Sequence, residues 1–381
     1  MFVPPFNLLL KAVTHYEFLH SMLVNSVAVV GGGLSGLAIA YYASQTWSQC
    51  RIDIYDPCSP GSGGASSLAC LMHPHTPKGR LIWKGIEGME ASLELMNFAE
   101  KFCPSSRSVF HLKEKAIQRV CLSRSQADIF MKAADDFPEF LEFSPPIDSP
   151  TNGHFGTTLL KQSYIVDTPL YLKSLYNGIC SYCNLSWKQS TIDDASLSEL
   201  PSCCDLVVVC AGAGVKELWK DRPLTMLTHD RGQNIVYKLR EEFKGKRRLE
   251  HALLSGEYIV PTEAGTLTCG ATHEYDAEVI FTPPDLDFAL RALSPALQAI
   301  YPLLDRDYWP SHAAAGVRVL PQRTHLGRIP IIGVHPRHRN MWMMSGLGSH
   351  GLIHHAYVAK QLMGAVAGTS SMPEELILPL S

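Results

Sequence analysis

Residues Val27 to Gly36 read VAVVGGGLSG. Four apolar residues suit a buried strand, yet they run straight into glycines, the residues that stabilise regular structure least. The glycines are spaced Gly31-x-Gly33-x-x-Gly36, between a predicted strand, Val27–Val30, and a predicted helix, Leu34–Ser44. In a dinucleotide-binding turn the first glycine permits the bend. The second lets backbone approach a pyrophosphate, and the third lets helix and strand pack closely. The helix start adds unpaired N–H groups and the positive end of its dipole. RIDIYD, from Arg51, reads as the next strand. It ends in Asp56, 20 positions after Gly36, where a carboxylate can accept hydrogen bonds from a ribose. The alternative is a glycine-rich turn with a solvent-facing Asp.

The segment after Asp56 separates the cofactors. PCSPGSGGASSLAC (Pro57–Cys70) is a second glycine- and serine-rich loop, suited to folding over the pyrophosphate of a long, buried FAD. A nicotinamide enzyme more often enters another helix directly. CAGAG (Cys210–Gly214) ends a further apolar strand, and GLGSHG (Gly346–Gly351) precedes the last predicted helix, Leu352–Val366. A helix start there suits a flavin pyrimidine ring, which becomes anionic on reduction. The expected FAD contacts are therefore Gly31, Gly33, Leu34, Ser35, Gly36, Asp56, Ala65, Ser66, Ala211, Gly212, Gly346, Gly348, Ser349, His350 and Gly351.

Between these turns the texture alternates. Helical spacing runs from Arg80, over Ile129–Phe143 with a break at Pro138, over Thr168–Cys180, and over PDLDFALRALSPALQAIYP. Short β-type runs, GQNIVYKL, EYIVPT and GTLTCGAT, cluster after Gly214, and AAAGVRVLPQ, RIPIIGV and NMWMMSG come later. The predicted fold is α/β, a Rossmann-like FAD-binding domain with an inserted antiparallel, β-rich α+β substrate domain. The expected boundaries are 22–100 with 155–225 and 310–381 for the first, and 101–154 with 226–309 for the second. Residues 1–21 form an extension of unassigned role.

Composition narrows the class. At 46% hydrophobic and 18% charged, the 381 residues can bury a sizeable core. A formal net charge of −3 gives bulk electrostatics no bias toward nucleic acid. Two basic stretches, Lys244–His251 and His335–Asn340, are the candidate RNA contacts; ordinary solvated loops are the alternative. Eleven cysteines show no framework spacing and read as reduced and intracellular, in cytoplasm or an organelle. Cys180 and Cys183, with Cys203 and Cys204, would need four converging sulfurs to hold zinc; small apolar packing beside a strand is the other reading, and no metal is assigned. No apolar run reaches the ~20 residues of a membrane span. The first 25 residues carry one Lys, no Arg and a Glu, fitting neither a secretory signal nor an Arg-rich transit peptide.

The ordered set VVGGGLSGLAIAYYAS, YDP, GGASS, CAGAG, RGQNIVY, EYIVPTEAGTLTCGAT, AGVRVLPQRTHLGRIPIIG and MSGLGSHGLIHHAYVAKQL resembles the D-amino-acid/glycine/sarcosine oxidase family of FAD enzymes, from about Val27 to Met363. Within it, GASS leading to LMHP and GLGSHG before an apolar helix are most similar to the FAD-dependent C-terminal half of the bifunctional tRNA 5-methylaminomethyl-2-thiouridine biosynthesis proteins. The methyltransferase half of those proteins has no counterpart here, and the GASS-to-HP loop is slightly shorter than their pattern. The resemblance implies oxidation of a carbon beside an amine, on a small molecule or on the carboxymethylaminomethyl group of a tRNA wobble uridine. It places Arg318 as a carboxylate clamp and Tyr258 as an aromatic facing the substrate. A structural salt bridge and core packing are their respective alternatives. His73 and His350 fall in loops expected near the flavin, as catalysts or as structural histidines. Some relatives attach flavin through a Cys in the segment matching Gly316–Gly333. None stands there, so FAD is expected to be non-covalent. Three functions remain open: an oxidoreductase of modified uridine, a small-amino-acid oxidase, and a flavin-binding protein without turnover.

Overall fold

A computed structural model describes residues 24–68, 70–146, 154–221, 224–243, 249–262 and 265–378. The extension 1–21 and most of the basic stretch 244–251 lie outside them. VAVV is the middle of a six-stranded sheet. Ser26–Val30 pairs in parallel with Leu206–Val209 on one side and Arg51–Asp56 on the other. Asn184–Gln189 and Met341–Ser345 extend the parallel order outward, and Ile331–Val334 closes one edge antiparallel. Strand side chains alternate between faces, and both faces are covered. Val27 and Val29 pack toward the helices Leu34–Thr46, Gly85–Glu100, Thr168–Cys180 and Gly351–Val366; Ala28 and Val30 face Trp219 and the helix Asp194–Cys203. The chain's last described residues return to the edge strand. Leu378 N–H donates to the Ile332 carbonyl at 2.7 Å, and Ile377 bridges Ile332 in parallel.

The second layer is an eight-stranded sheet. Its order is Tyr308–Pro321, Leu227–Leu239, Thr266–Gly270, Glu257–Pro261, Ala252–Ser255, Ile117–Val120, Thr157–Leu160 and Leu141–Ser144. All its pairs are antiparallel except Ala252–Ser255 with Ile117–Val120. The helix Leu286–Ile300 covers one face over a core of Ile235, Tyr237, Ile259 and Leu267. Tyr308–Pro321, most of which was expected in the FAD-binding domain, is hydrogen-bonded into this large sheet along its length. A small three-stranded sheet of Leu71–Met72, Tyr164–Val166 and Phe110–Leu112 joins the layers.

The helix predicted over Ile129–Phe143 is corrected. It runs Arg124–Asp136, and Leu141–Ser144 is a strand. Ser123 starts it, its hydroxyl accepting from Gln126 N–H at 3.2 Å, while Gln126 Oε1 accepts from Leu122 N–H at 2.7 Å. The Ser123 cap and the Gln126 bond to the preceding turn fix the helix start ahead of the apolar spacing. Pro138 then prevents continuation, freeing the last residues to pair with Thr157–Leu160.

Candidate flavin and substrate site

The turn after Ser26–Val30 is built around its glycines. Gly31 holds φ +100, and a Cβ on it would meet the Cys210 carbonyl of the neighbouring strand end. A Cβ on Gly36 would enter the Gly31 carbonyl oxygen, so helix and turn touch through backbone alone. A Cβ on Gly33 would stand 2.7 Å from Ser66 Oγ. That hydroxyl accepts from Leu34 N–H at 3.2 Å, joining the GASS loop to the first turn. Asp56 acts one step back. Its Oδ2 accepts from Gly32 N–H at 2.7 Å and its Oδ1 from Cys58 N–H at 2.8 Å. It therefore pins the two loops together, with lone pairs left over on both oxygens. Trp187 covers Gly32 and donates from Nε1 to the Cys58 carbonyl at 3.0 Å.

A cavity of about 250 Å³ opens beyond this turn. Gly33, Leu34, Ser35, Ala65, Ser66, Gly212, Gly346, Gly348, Ser349 and Gly351 line it, together with Tyr258 and Arg318. Gly31, Gly36, Asp56, Ala211 and His350 do not line it; the first three build the turn from behind. Two helix starts face this space. Neither Gly33 nor His350 supplies a side-chain cap, and neither helix has an acidic residue in its first turn. Helix starts at two ends of one cavity, the first with Leu34 N–H already met by Ser66 Oγ, suit a pyrophosphate at the first and an electron-rich ring edge at the second. The residues present thus fit FAD: Gly33–Ser35 and Ser66 would hold its phosphates, and Gly346–Gly351 would face its ring.

The opposite wall comes from the large sheet. Asn234, Gly270 and Tyr258 stand side by side on three neighbouring strands. Tyr258 Oη donates to Asn234 Oδ1 at 2.8 Å, passing over Gly270, where a Cβ would lie 2.9 Å from that hydroxyl. Burial, above all, holds the Tyr258 phenol above its ordinary pKa, so it is a neutral donor at physiological pH. Arg318 lies on the outermost strand of this wall. Its Nη2 is 3.1 Å from Asp230 Oδ2 and donates to the Thr272 carbonyl at 3.0 Å. Arg318 is therefore both a cavity residue and a partner in a salt bridge with a buried carboxylate.

His73 and His350 are held neutral. Burial is the main cause for both, and Arg119 and then His350 add to it at His73. No group of three or more potential metal ligands occurs among the described residues, and all eleven cysteines are free thiols. In the His335–Asn340 stretch, His335 Nε2 lies 2.9 Å from Asp221 Oδ2, and Arg337 pairs with the same carboxylate. Sequence reasoning missed Asn234, Asp230 and Trp187. Asn234 and Asp230 lie in RGQN and THDR, where only strand register brings them to Tyr258 and Arg318.

Residues 26–364 match the model of the FAD dependent oxidoreductase family, DAO. The chain belongs to that family. FAD is the cofactor of this oxidoreductase. Its fold is shared with glycine oxidase from Geobacillus kaustophilus at a TM-score of 0.72 and 16% identity, over 91% of this chain and 98% of that one. Iminodiacetate oxidase from a Chelativorans species superposes at 0.72 with 17% identity, over 92% and 98% of the two chains. Fructosamine oxidase from Aspergillus fumigatus gives 0.68 with 13% identity, over 93% and 89%. At such identities the likeness establishes the α/β flavoprotein fold of the oxidoreductase. No helix among its described residues is long and apolar enough to cross a membrane.

Proposed function

We propose that this oxidoreductase oxidises a C–N bond of an amine that carries a carboxylate, and that Arg318 holds the carboxylate. The observation that carries the reading is the position of Arg318. It stands on the cavity wall, only 18% exposed, and lines the cavity together with Tyr258, Asn234 and Gly346. Asp230 and the Thr272 carbonyl fix its Nη2 edge, so the guanidinium is oriented before substrate arrives. The rest of the fork can then meet a carboxylate oxygen without reorganisation. The neutral Tyr258 hydroxyl adds a polar contact that attracts no second charge. FAD, when bound, supplies the two-electron acceptor of the reaction. The chain itself contributes position, and among the described residues that line the cavity no carboxylate stands to hold the substrate amine protonated.

Within that class we propose the carboxymethylaminomethyl group of a tRNA wobble uridine as substrate. The GASS-to-HP loop and the GLGSHG turn support this reading, and a carboxymethylamine matches an oriented arginine. A small amino acid is the second reading. The names of the structural neighbours, glycine oxidase and iminodiacetate oxidase, favour it. Asp221 pairs with Arg337 and offsets part of the positive charge of one candidate RNA patch. The proposed division of labour matches the sheets, with the six-stranded sheet holding FAD and the eight-stranded sheet shaping the substrate wall.

The test is mass spectrometry of tRNA nucleosides from cells with and without the gene product. Loss of the protein should raise the carboxymethylaminomethyl nucleoside at the expense of the aminomethyl form. Unchanged nucleosides, with flavin bleaching by glycine or sarcosine in anaerobic solution, would move the assignment to the second reading.

A further inference from the structure

Arg231 is 2% exposed and ties down both ends of one surface loop. Its Nη1 donates to Glu274 Oε2 at 2.7 Å, and its Nη2 to the carbonyls of Thr282 at 3.2 Å and Pro283 at 2.7 Å. Gln233 and Thr272 add hydrogen bonds to Glu274 Oε1 at 3.1 and 2.7 Å. The loop base is thus fixed, yet Tyr275 is left 58% exposed. Asp230, the neighbour of Arg231 on the same strand, points the other way, to Arg318.

His273 connects the loop to the clamp. Its Nδ1 lies 2.9 Å from Asp230 Oδ2 and 3.2 Å from Arg318 Nη2. With the proton on Nδ1 it donates to Asp230, and the imidazole is fixed against the arginine. Its ring is close to parallel with that of Tyr275. The planes are 15° apart and the centroids are separated by 6.5 Å. Glu274 between them is extended, exchanging backbone hydrogen bonds of 2.9 Å with Arg231. Two residues of extended chain advance about 6.6 Å. The ring spacing matches that advance, as for same-face neighbours on one strand. Such a gap is about twice the ~3.4 Å spacing of stacked bases.

We propose that His273 and Tyr275 form a slot for a planar aromatic ring carried on the substrate amine, so that the site selects aryl- or nucleobase-bearing carboxymethylamines over small amino acids. The inference rests on the reading of Arg318 as the carboxylate clamp. Asp230 touches both clamp and slot, so their spacing is set by one buried side chain. A carboxylate on Arg318 and a ring in the slot leave one methylene, the nitrogen and a second methylene to span between them. Sarcosine has no ring, leaves the slot to water and gains nothing from it.

The test is anaerobic calorimetric titration of the FAD-loaded protein, its flavin already reduced with dithionite so that no ligand is oxidised, with 5-carboxymethylaminomethyluridine, N-benzylglycine and sarcosine. The parent protein should bind the two ring-bearing ligands more tightly than sarcosine. Tyr275→Ala should weaken both by about 5- to 100-fold, the range of one base–aromatic stack, and change sarcosine less than twofold. Tyr275→Phe should restore parent binding. A preference for the nucleoside over N-benzylglycine identifies the ring as a nucleobase; the reverse identifies a free arylamine acid. The slot is overturned if the ring-bearing ligands bind no better than sarcosine, or not at all. Equal loss of all three in Tyr275→Ala overturns it too. Arg318→Met separates the two readings. If it leaves all three affinities intact while Tyr275→Ala still discriminates, the clamp is wrong and the slot stands.

Discussion

Asp230 Oδ2 lies 3.1 Å from Arg318 Nη2, and the aspartate side chain is 1% exposed. A carboxylate so deeply buried is stable only while its cation is present. Removing one member of a fully buried pair costs roughly 3–5 kcal/mol. Arg318 retains some solvent, so Asp230→Ala should lose about 2–3 kcal/mol of unfolding free energy on that scale. Asp230→Asn, which keeps an acceptor, should lose less. Denaturant titration checks both, and no loss in either would show the pair to be energetically idle.

Arg318→Lys should keep a positive charge on the cavity wall but lose the planar fork. Flavin content should stay at the parent level. The rate of flavin bleaching by a carboxylate-bearing amine should fall at least about tenfold, the scale of one misplaced contact. Arg318→Met should fall further. The same amine without its carboxylate should be nearly indifferent to either change. Stopped-flow bleaching reads this, and equal losses for both amines would make Arg318 purely structural.

Gly33→Val and Gly36→Ala should fail differently. The valine at 33 presses on Ser66 Oγ and on the space in front of Leu34 and Ser35, so the chain should fold without FAD. An alanine at 36 enters the Gly31 carbonyl and separates helix from strand, so soluble protein should be lost. Circular dichroism with flavin absorbance distinguishes the outcomes. A yellow, folded Gly36→Ala protein would contradict the packing described.

Asp56→Ala removes acceptors from the Gly32 and Cys58 amides. FAD affinity should fall by roughly 1–3 kcal/mol, through loosening of both loops. Acid precipitation should release the flavin of the parent protein into the supernatant, since no Cys stands in Gly316–Gly333. Flavin retained on the precipitate would refute non-covalent binding.

His75, His354 and His355 are almost fully buried, and burial pushes each down to about 4. His355 is held by Tyr171 Oη, 2.8 Å from its Nε2, with Nδ1 3.0 Å from the Gly351 carbonyl. In the unfolded chain each titrates near 6.5. Between those values the unfolded state binds more protons, so stability falls as pH drops from about 6.5 toward about 4. Each should contribute up to about 2 kcal/mol of loss by pH 5. Urea midpoints at pH 7.5 and 5 measure the sum. His355→Gln should flatten the difference; an unchanged difference would mean His355 is not among the groups responsible.

The FAD-binding half was legible because its evidence is local. A strand, three glycines and a helix occupy consecutive residues, and the carboxylate closing the unit sits one strand later. The four glycine-rich turns could be read singly, and the cavity shows that they converge. The cavity wall from the large sheet was less legible. Arg318 and Tyr258 came from resemblance, but their partners Asp230 and Asn234 come from a strand whose pairing no short motif encodes. Gly270 looks like an ordinary turn glycine until register places it between Asn234 and Tyr258. The misread helix had a similar cause. Four residues, Leu141–Ser144, are too few to separate helical from strand periodicity.

The return of Leu378 and Ile377 to Ile332 has a bearing on the solution behaviour of the protein. Ile331–Val334 ends its sheet, and an uncovered outer strand is a template for another molecule's backbone. The terminal segment occupies part of that template from within the same chain. A protein shortened after Gly368 keeps every residue that lines the flavin cavity, and it should still turn yellow with FAD. Its resistance to sticking to itself is the property it should lose. Light scattering that grows with concentration, in a variant whose flavin spectrum is normal, would show that the tail guards an edge.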